Sequence, residues 1–112
     1  LEIERRATEF EEYISFIRSV LGNQAFAKLR VEQNGDIKRM SAFNAAVYDA
    51  FAIGLAKTYK VDDLDRLFVA ERLAQIKEVF NNPEFFDAIS GSVNDGAKVA
   101  TRIRIVQEFL EK

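Results

Sequence analysis

Two polar side chains stand inside an otherwise oily stretch, and they are the first to ask for chemistry. Between Phe43 and Ala56, Asn44 and Asp49 interrupt a run of Ala, Val, Tyr, Phe, Ile, Gly and Leu. A polar group carried into a core needs a partner, because it gives up its hydrogen bonds to water. Read functionally, the pair would hold a ligand or a metal. Read structurally, Asn44 bonds a loop backbone group and Asp49 pairs with an Arg or Lys from another helix. The structural reading is preferred, and Arg102 joins them as a third structural polar candidate.

Other constellations are weaker. Asp62, Asp63 and Asp65 look like the start of a calcium loop, but they lack alternate-position ligands, a central Gly and a terminal Glu. They suit the positive end of a helix dipole instead. Asn94-Asp95-Gly96 reads as a turn and cap. Gly91 and Gly96 hint at a phosphate cradle, yet Gly96-Ala97-Lys98-Val99 does not supply Gly-Lys followed by Ser or Thr after a strand. The chain has 0 Cys and 0 His. That excludes a disulfide scaffold, a thiol nucleophile, a His general base and the usual Cys/His zinc site. Ser41, Thr58 and Thr101 therefore cannot build a Ser-His-Asp triad within this chain. No catalytic residue, cofactor or metal is expected.

Cations offer one more candidate. Lys28, Arg30, Lys38 and Arg39 concentrate positive charge in one segment, and Lys98 and Arg104 add to it from the last helix. Together they form a candidate phosphate-contacting face, against the plainer reading of solvated charge and internal pairs. The total is balanced at 16 Lys+Arg and 18 Asp+Glu, a formal charge of −2, whereas a dedicated nucleic-acid binder carries a basic excess.

These residues must be positioned by helices. Only 5 Gly and 1 Pro occur in 112 residues, too few for the turns of an all-β domain. Ile3, Ala7, Phe10, Ile14, Ile17 and Leu21 recur at steps of four and three, which predicts a helix over 2–21 ended by Gly22. Asn23 caps a short helix from Gln24 to about Arg30. Glu32 to Met40 reads as a loop, with room for a small hairpin at Asn34-Gly35. Ser41 caps a helix over about 41–57 that is apolar around most of its circumference, so the others should surround it. A fourth helix runs from Asp62 or Asp63 to Phe80 with Val69, Leu73 and Ile76 on its stripe, and Asn81-Asn82-Pro83 stops it. Pro83 opens a short helix through Ile89, Ser90-Gly91-Ser92 punctuates a loop, and the last helix spans about Ala97 to Glu111. All 10 Phe fall in segments read as helical. The expected fold is all-α: a compact bundle of four main and two short helices in a single domain over 1–112.

No window approaches the roughly 18 apolar residues of a membrane span, and Leu1-Glu2-Ile3-Glu4-Arg5-Arg6 is too charged for a secretory signal. A cytoplasmic protein without membrane contact is expected. The chain begins at Leu1 and its sole Met is Met40, so it is expected to be a piece of a longer protein.

Met40-Ser41-Ala42-Phe43-Asn44-Ala45-Ala46-Val47-Tyr48-Asp49-Ala50 resembles a pattern in a large bacterial family, in which a basic residue and a short gap precede Asn, small residues, an aromatic and an acid. Leu21-Gly22-Asn23-Gln24-Ala25-Phe26 resembles that family's Gly-x-x-Ala-Phe step, and Val99-Ala100-Thr101-Arg102-Ile103 with Phe109-Leu110 its closing helix. The family is the ParB/sulfiredoxin-like domain proteins of bacterial restriction and phage defence, including the GmrSD type. The resemblance covers nearly the whole chain, as the family's C-terminal helical region. It implies a nucleotide-dependent nuclease whose catalytic Asp-Gly-Gln-Gln-Arg segment is not in this chain. The implied role is therefore non-catalytic: supporting an N-terminal catalytic domain of the same protein and its contacts with DNA or a partner. A free-standing interaction module, homodimeric through the first helix, and a weak DNA-binding domain are the alternatives.

Overall fold

The first helix, α1 (Glu2–Leu21), forms on the predicted stripe, but only half of it finds a core. The computed structural model describes residues 2–91 and 94–112, so Leu1 and the Ser92 of the predicted loop lie outside the described residues. Tyr13, Ile14, Ile17 and Leu21 are buried, whereas every residue from Glu2 to Glu12 is exposed. Ile3 is 82% and Phe10 39% exposed. Gly22, in the left-handed region at φ 57°, ends the helix as expected.

The short helix expected over Gln24–Arg30 is not formed. A single 3-10 turn covers Gly22–Gln24, and Phe26 then takes φ 62°. A left-handed residue cannot continue a right-handed helix, and the chain leaves it extended. The carbonyl of Phe26 accepts from the Asn44 amide at 2.8 Å, which ties this corner to the start of the next helix. The extended chain becomes β1 (Lys28–Val31), where Leu29 is buried between the more exposed Lys28 and Arg30. That alternation has period two and suits a strand. β2 (Ile37–Ser41) pairs with it antiparallel, Arg30 opposite Lys38 and Val31 opposite Ile37, with an irregularity between Lys28 and Leu29. Gly35 at φ 90° and an Asn34 side chain accepting from the Asp36 amide at 3.0 Å close the hairpin. The purely all-α expectation is thus corrected: the chain is mostly helical with one small two-stranded sheet.

The apolar helix is α2 (Ala45–Thr58), which starts four residues later than expected. Ser41 cannot cap it, because Ser41 is the last residue of β2 and pairs with Lys28. Asn44 caps it instead, its Oδ1 accepting from Val47 N at 2.9 Å. Ala46, Val47, Ala50, Phe51, Ala52, Gly54 and Leu55 are buried, against α1 on one side and α6 on the other.

The single helix expected up to Phe80 is broken into a 3-10 turn at Val61–Asp63, α3 (Leu67–Ala74) and α4 (Lys77–Phe80). The break before α3 lies at Arg66, whose extended backbone (φ −73°, ψ 128°) cannot continue a helix. α5 (Pro83–Ala88) has Pro at its start and the Asn82 side chain accepting from Glu84 N at 2.9 Å. α6 (Gly96–Glu111) is capped by Asp95 Oδ1, which accepts from Ala97 N at 2.8 Å. Its buried face is Arg102, Ile105, Val106, Phe109 and Leu110, so Val99 and Ile103 of the predicted stripe sit at its edge.

The core is shared by all six helices and Leu29 of β1, with an aromatic centre between α2, α4 and α5. Phe51 stacks on Phe80 at 6.3 Å between ring centres, and Phe85 meets both edge-on at 6.1 and 5.3 Å. Phe26 and Phe43 are the exceptions to the all-helical placement of phenylalanine, since both precede α2 in non-helical backbone.

Candidate functional site

The end of α5 is where predicted cations converge. Ser90 follows α5 and precedes Gly91, which sits at φ 66°. Lys28 reaches it from β1, because the residue beside buried Leu29 must point to the other side of the strand. Its Nζ donates to Ser90 Oγ at 2.9 Å and lies 4.8 Å from the centre of the Phe86 ring. A cation over an aromatic face is attracted by the ring's quadrupole. Lys98, in the first turn of α6, donates from Nζ to the Ser90 carbonyl at 2.8 Å. The Ser90 hydroxyl in turn donates to the Phe86 carbonyl at 2.7 Å. The Ser90 hydroxyl thus accepts from Lys28 and donates to Phe86 at once.

Arg30 opens onto the same corner. It lines a groove of about 430 Å³ whose walls are Val31, Phe80, Pro83 and Phe86, with Asp87 and Ser90 at its polar side. The guanidinium stands 4.0 Å from Glu32, a loose exposed pair. Three of the six candidate phosphate-contacting residues, Lys28, Arg30 and Lys98, are thus brought together. Lys38 lies opposite Arg30 in the hairpin and is exposed. Arg39 turns to the other end and donates to the Asn23 carbonyl at 3.2 Å. Arg104 is held by Glu108 at 3.0 Å and Glu84 at 3.2 Å. Those two carboxylates raise its pKa, the Glu108 hydrogen bond most.

Each of the structural polar candidates has a defined place. Asn44 is the α2 cap. Asp49 is 51% exposed and lies 3.9 Å from the guanidinium of Arg102, which is 3% exposed. Arg102 also donates to the Ala88 carbonyl at 3.3 Å, so it joins α6 to the end of α5. Among the described residues no group of three or more acidic, His or Cys side chains could hold a metal ion.

A second surface is only half legible in the sequence. Tyr48 gathers Phe26, Phe43 and Phe10 at 4.8, 5.7 and 6.4 Å between ring centres. Phe43 is 57% exposed, and Phe10 carries the cluster onto the bare half of α1. Spacing reveals the α1 stripe. It does not reveal the convergence on Tyr48, which depends on the left-handed turn at Phe26. Ser90 and Phe86, which organise the basic corner, likewise carry no sequence signal beyond loop punctuation and core.

No known family model matches the sequence, and no curated protein or solved structure is significantly similar to it. Among the described residues no helix is long and apolar enough to cross a membrane.

Proposed function

We propose that this chain is a non-catalytic helical domain of a ParB-like, nuclease-related defence protein in the cytoplasm. It supports that protein's catalytic domain and shapes the domain's contacts with DNA or a partner. One observation carries the reading. A single helix, α1, keeps the same apolar stripe along its length, yet buries it from Tyr13 onward and leaves Ile3, Ala7 and Phe10 bare. A stripe that continues past its own core is built for a surface supplied by something else.

The docking element is the first half of α1 with Phe43 beside it. Two measurements test this. The reading frame upstream of codon 1 is expected to encode an Asp-Gly-Gln-Gln-Arg-type segment, and a frame without one overturns the family reading. That upstream domain, expressed separately, is expected to co-elute with this chain but not with an Ile3→Glu, Phe10→Glu variant. Equal binding by the variant overturns the role of α1. The heptad-like steps of four and three also favour a second reading, a homodimer through α1. Sedimentation of the chain alone separates the two, because a monomer excludes the homodimer.

A further inference from the structure

We infer that the corner formed by Lys28, Ser90 and Lys98 binds the phosphate group of a small organic phosphate, whose apolar body lies in the adjoining groove. This goes beyond the docking role and uses none of its residues.

An ammonium carries three donors. Lys28 and Lys98 each place one on Ser90, at 2.9 and 2.8 Å. Neither comes within 4.0 Å of a carboxylate among the described residues. The fold therefore holds two like charges on one residue without an anion between them, and both lysines remain partly open to solvent. Capping the end of α5 accounts for one cation, and Arg102 already does so on the Ala88 carbonyl. A second, approaching from a different element, is more than a helix end of six residues needs. A tetrahedral oxyanion supplies the missing charge and accepts the remaining donors.

The groove decides what carries that phosphate. Its apolar lining is Val31, Phe80, Pro83 and Phe86 with Arg30 beside them, and it meets the lysine corner at Ser90. It is an open groove of about 430 Å³, wide enough to receive one face of a small apolar body. A nucleic-acid backbone would need further cations in line. Here Arg30 and the opposite Lys38 are interrupted by Glu32 and Asp87, and Arg104 is already held by Glu84 and Glu108. A repeating polyanion finds no unbroken row of cations here, whereas a single compact phosphate needs only the two lysines at Ser90.

The test is an amide NMR titration of the intact chain with phenyl phosphate, inorganic phosphate and phenol. Phenyl phosphate is expected to shift Ser90, Gly91 and Lys98 saturably, and to bind more tightly than inorganic phosphate. Phenol alone should leave them unmoved. Lys98→Gln should weaken phenyl phosphate about tenfold, and Lys98→Arg should retain it. If Lys98→Gln does not fold, Arg30→Gln beside the apolar lining is expected to weaken binding with the fold intact. The inference is overturned if no saturable shift occurs, or if a folded Lys98→Gln or Arg30→Gln chain binds as tightly as the parent. It is also overturned if a DNA duplex shifts the same amides at lower concentration than phenyl phosphate does.

Discussion

Gly54 on α2 faces Val106 on α6 with no room for a side chain between them. A β-carbon added to Gly54 would lie 2.7 Å from Val106 Cγ1 and 3.0 Å from its Cβ. This contact sets how closely the central helix approaches its main partner, and both residues are buried. Two effects oppose each other in Gly54→Ala. Helix propensity favours alanine by about 1 kcal/mol, while forcing an atom into a filled core costs about 1–3 kcal/mol. Urea denaturation is expected to show a net loss of stability. Val106→Ala added to Gly54→Ala should recover part of it, so the double variant is more stable than the two single losses predict. A stabilised Gly54→Ala chain would contradict the close approach.

The two halves of α1 should respond differently to the same kind of change. Ile17 is fully buried, and Ile17→Ala should cost about 2–5 kcal/mol through lost burial and the cavity left behind. Ile3 is 82% exposed, and Ile3→Ala should stay within about 0.5 kcal/mol of the parent. Paired chemical denaturation curves decide this. A comparable loss at both positions would mean that the first half of the helix is already covered in the chain alone.

Periodicity makes the long helices legible, because it reports which side chains share a face. α1, α2, the short helix at Pro83 and the cap at Asp95 are all readable from spacing and from residues whose side chains cap locally. The hairpin is not. Gln24 to Arg30 carries apolar residues at helical spacing, but Phe26 adopts a left-handed conformation, with its ring buried and its carbonyl accepting from the Asn44 amide. Spacing also hides the break before α3, since Leu64 and Val69 are each apolar and Arg66, where the backbone turns extended, is no helix breaker by type. The basic corner is legible as a set of lysines and arginines. Which of them meet depends on Ser90 sitting where β1 and α6 both reach.

Helix α2 offers a direct comparison of two candidate caps. Asn44 accepts from Val47 N at 2.9 Å, and Ser41 Oγ is buried with no hydrogen-bond partner among the described residues. Asn44→Ala should therefore cost about 0.5–2 kcal/mol. Ser41→Ala removes a hydroxyl that makes no bond, and should be neutral or slightly stabilising. Thermal melts of the two variants rank them, and a larger loss at Ser41 would restore it as the cap.

Two tyrosines chain three elements together. The Tyr13 hydroxyl donates to the Tyr59 carbonyl at 2.6 Å, and the Tyr59 hydroxyl donates to the Leu110 carbonyl at 2.7 Å. α1 is thereby tied to the segment after α2, and that segment to the end of α6. The pKa of Tyr13 is raised above 10.0, first by burial and then by Glu9, Asp63 and Glu12 nearby. Folding thus favours the neutral phenol. The stability this contributes is fully present below the unfolded pKa of about 10 and is lost as pH rises through the higher folded value. Tyr13→Phe should cost about 0.5–1.5 kcal/mol at neutral pH through the lost hydrogen bond. Above pH about 10 the parent should lose stability more steeply than Tyr13→Phe, so the gap between them narrows. Denaturation midpoints of both chains at a series of alkaline pH values measure that gap. Parallel slopes would show that the Tyr13 hydroxyl titrates as freely in the folded chain as in the unfolded one.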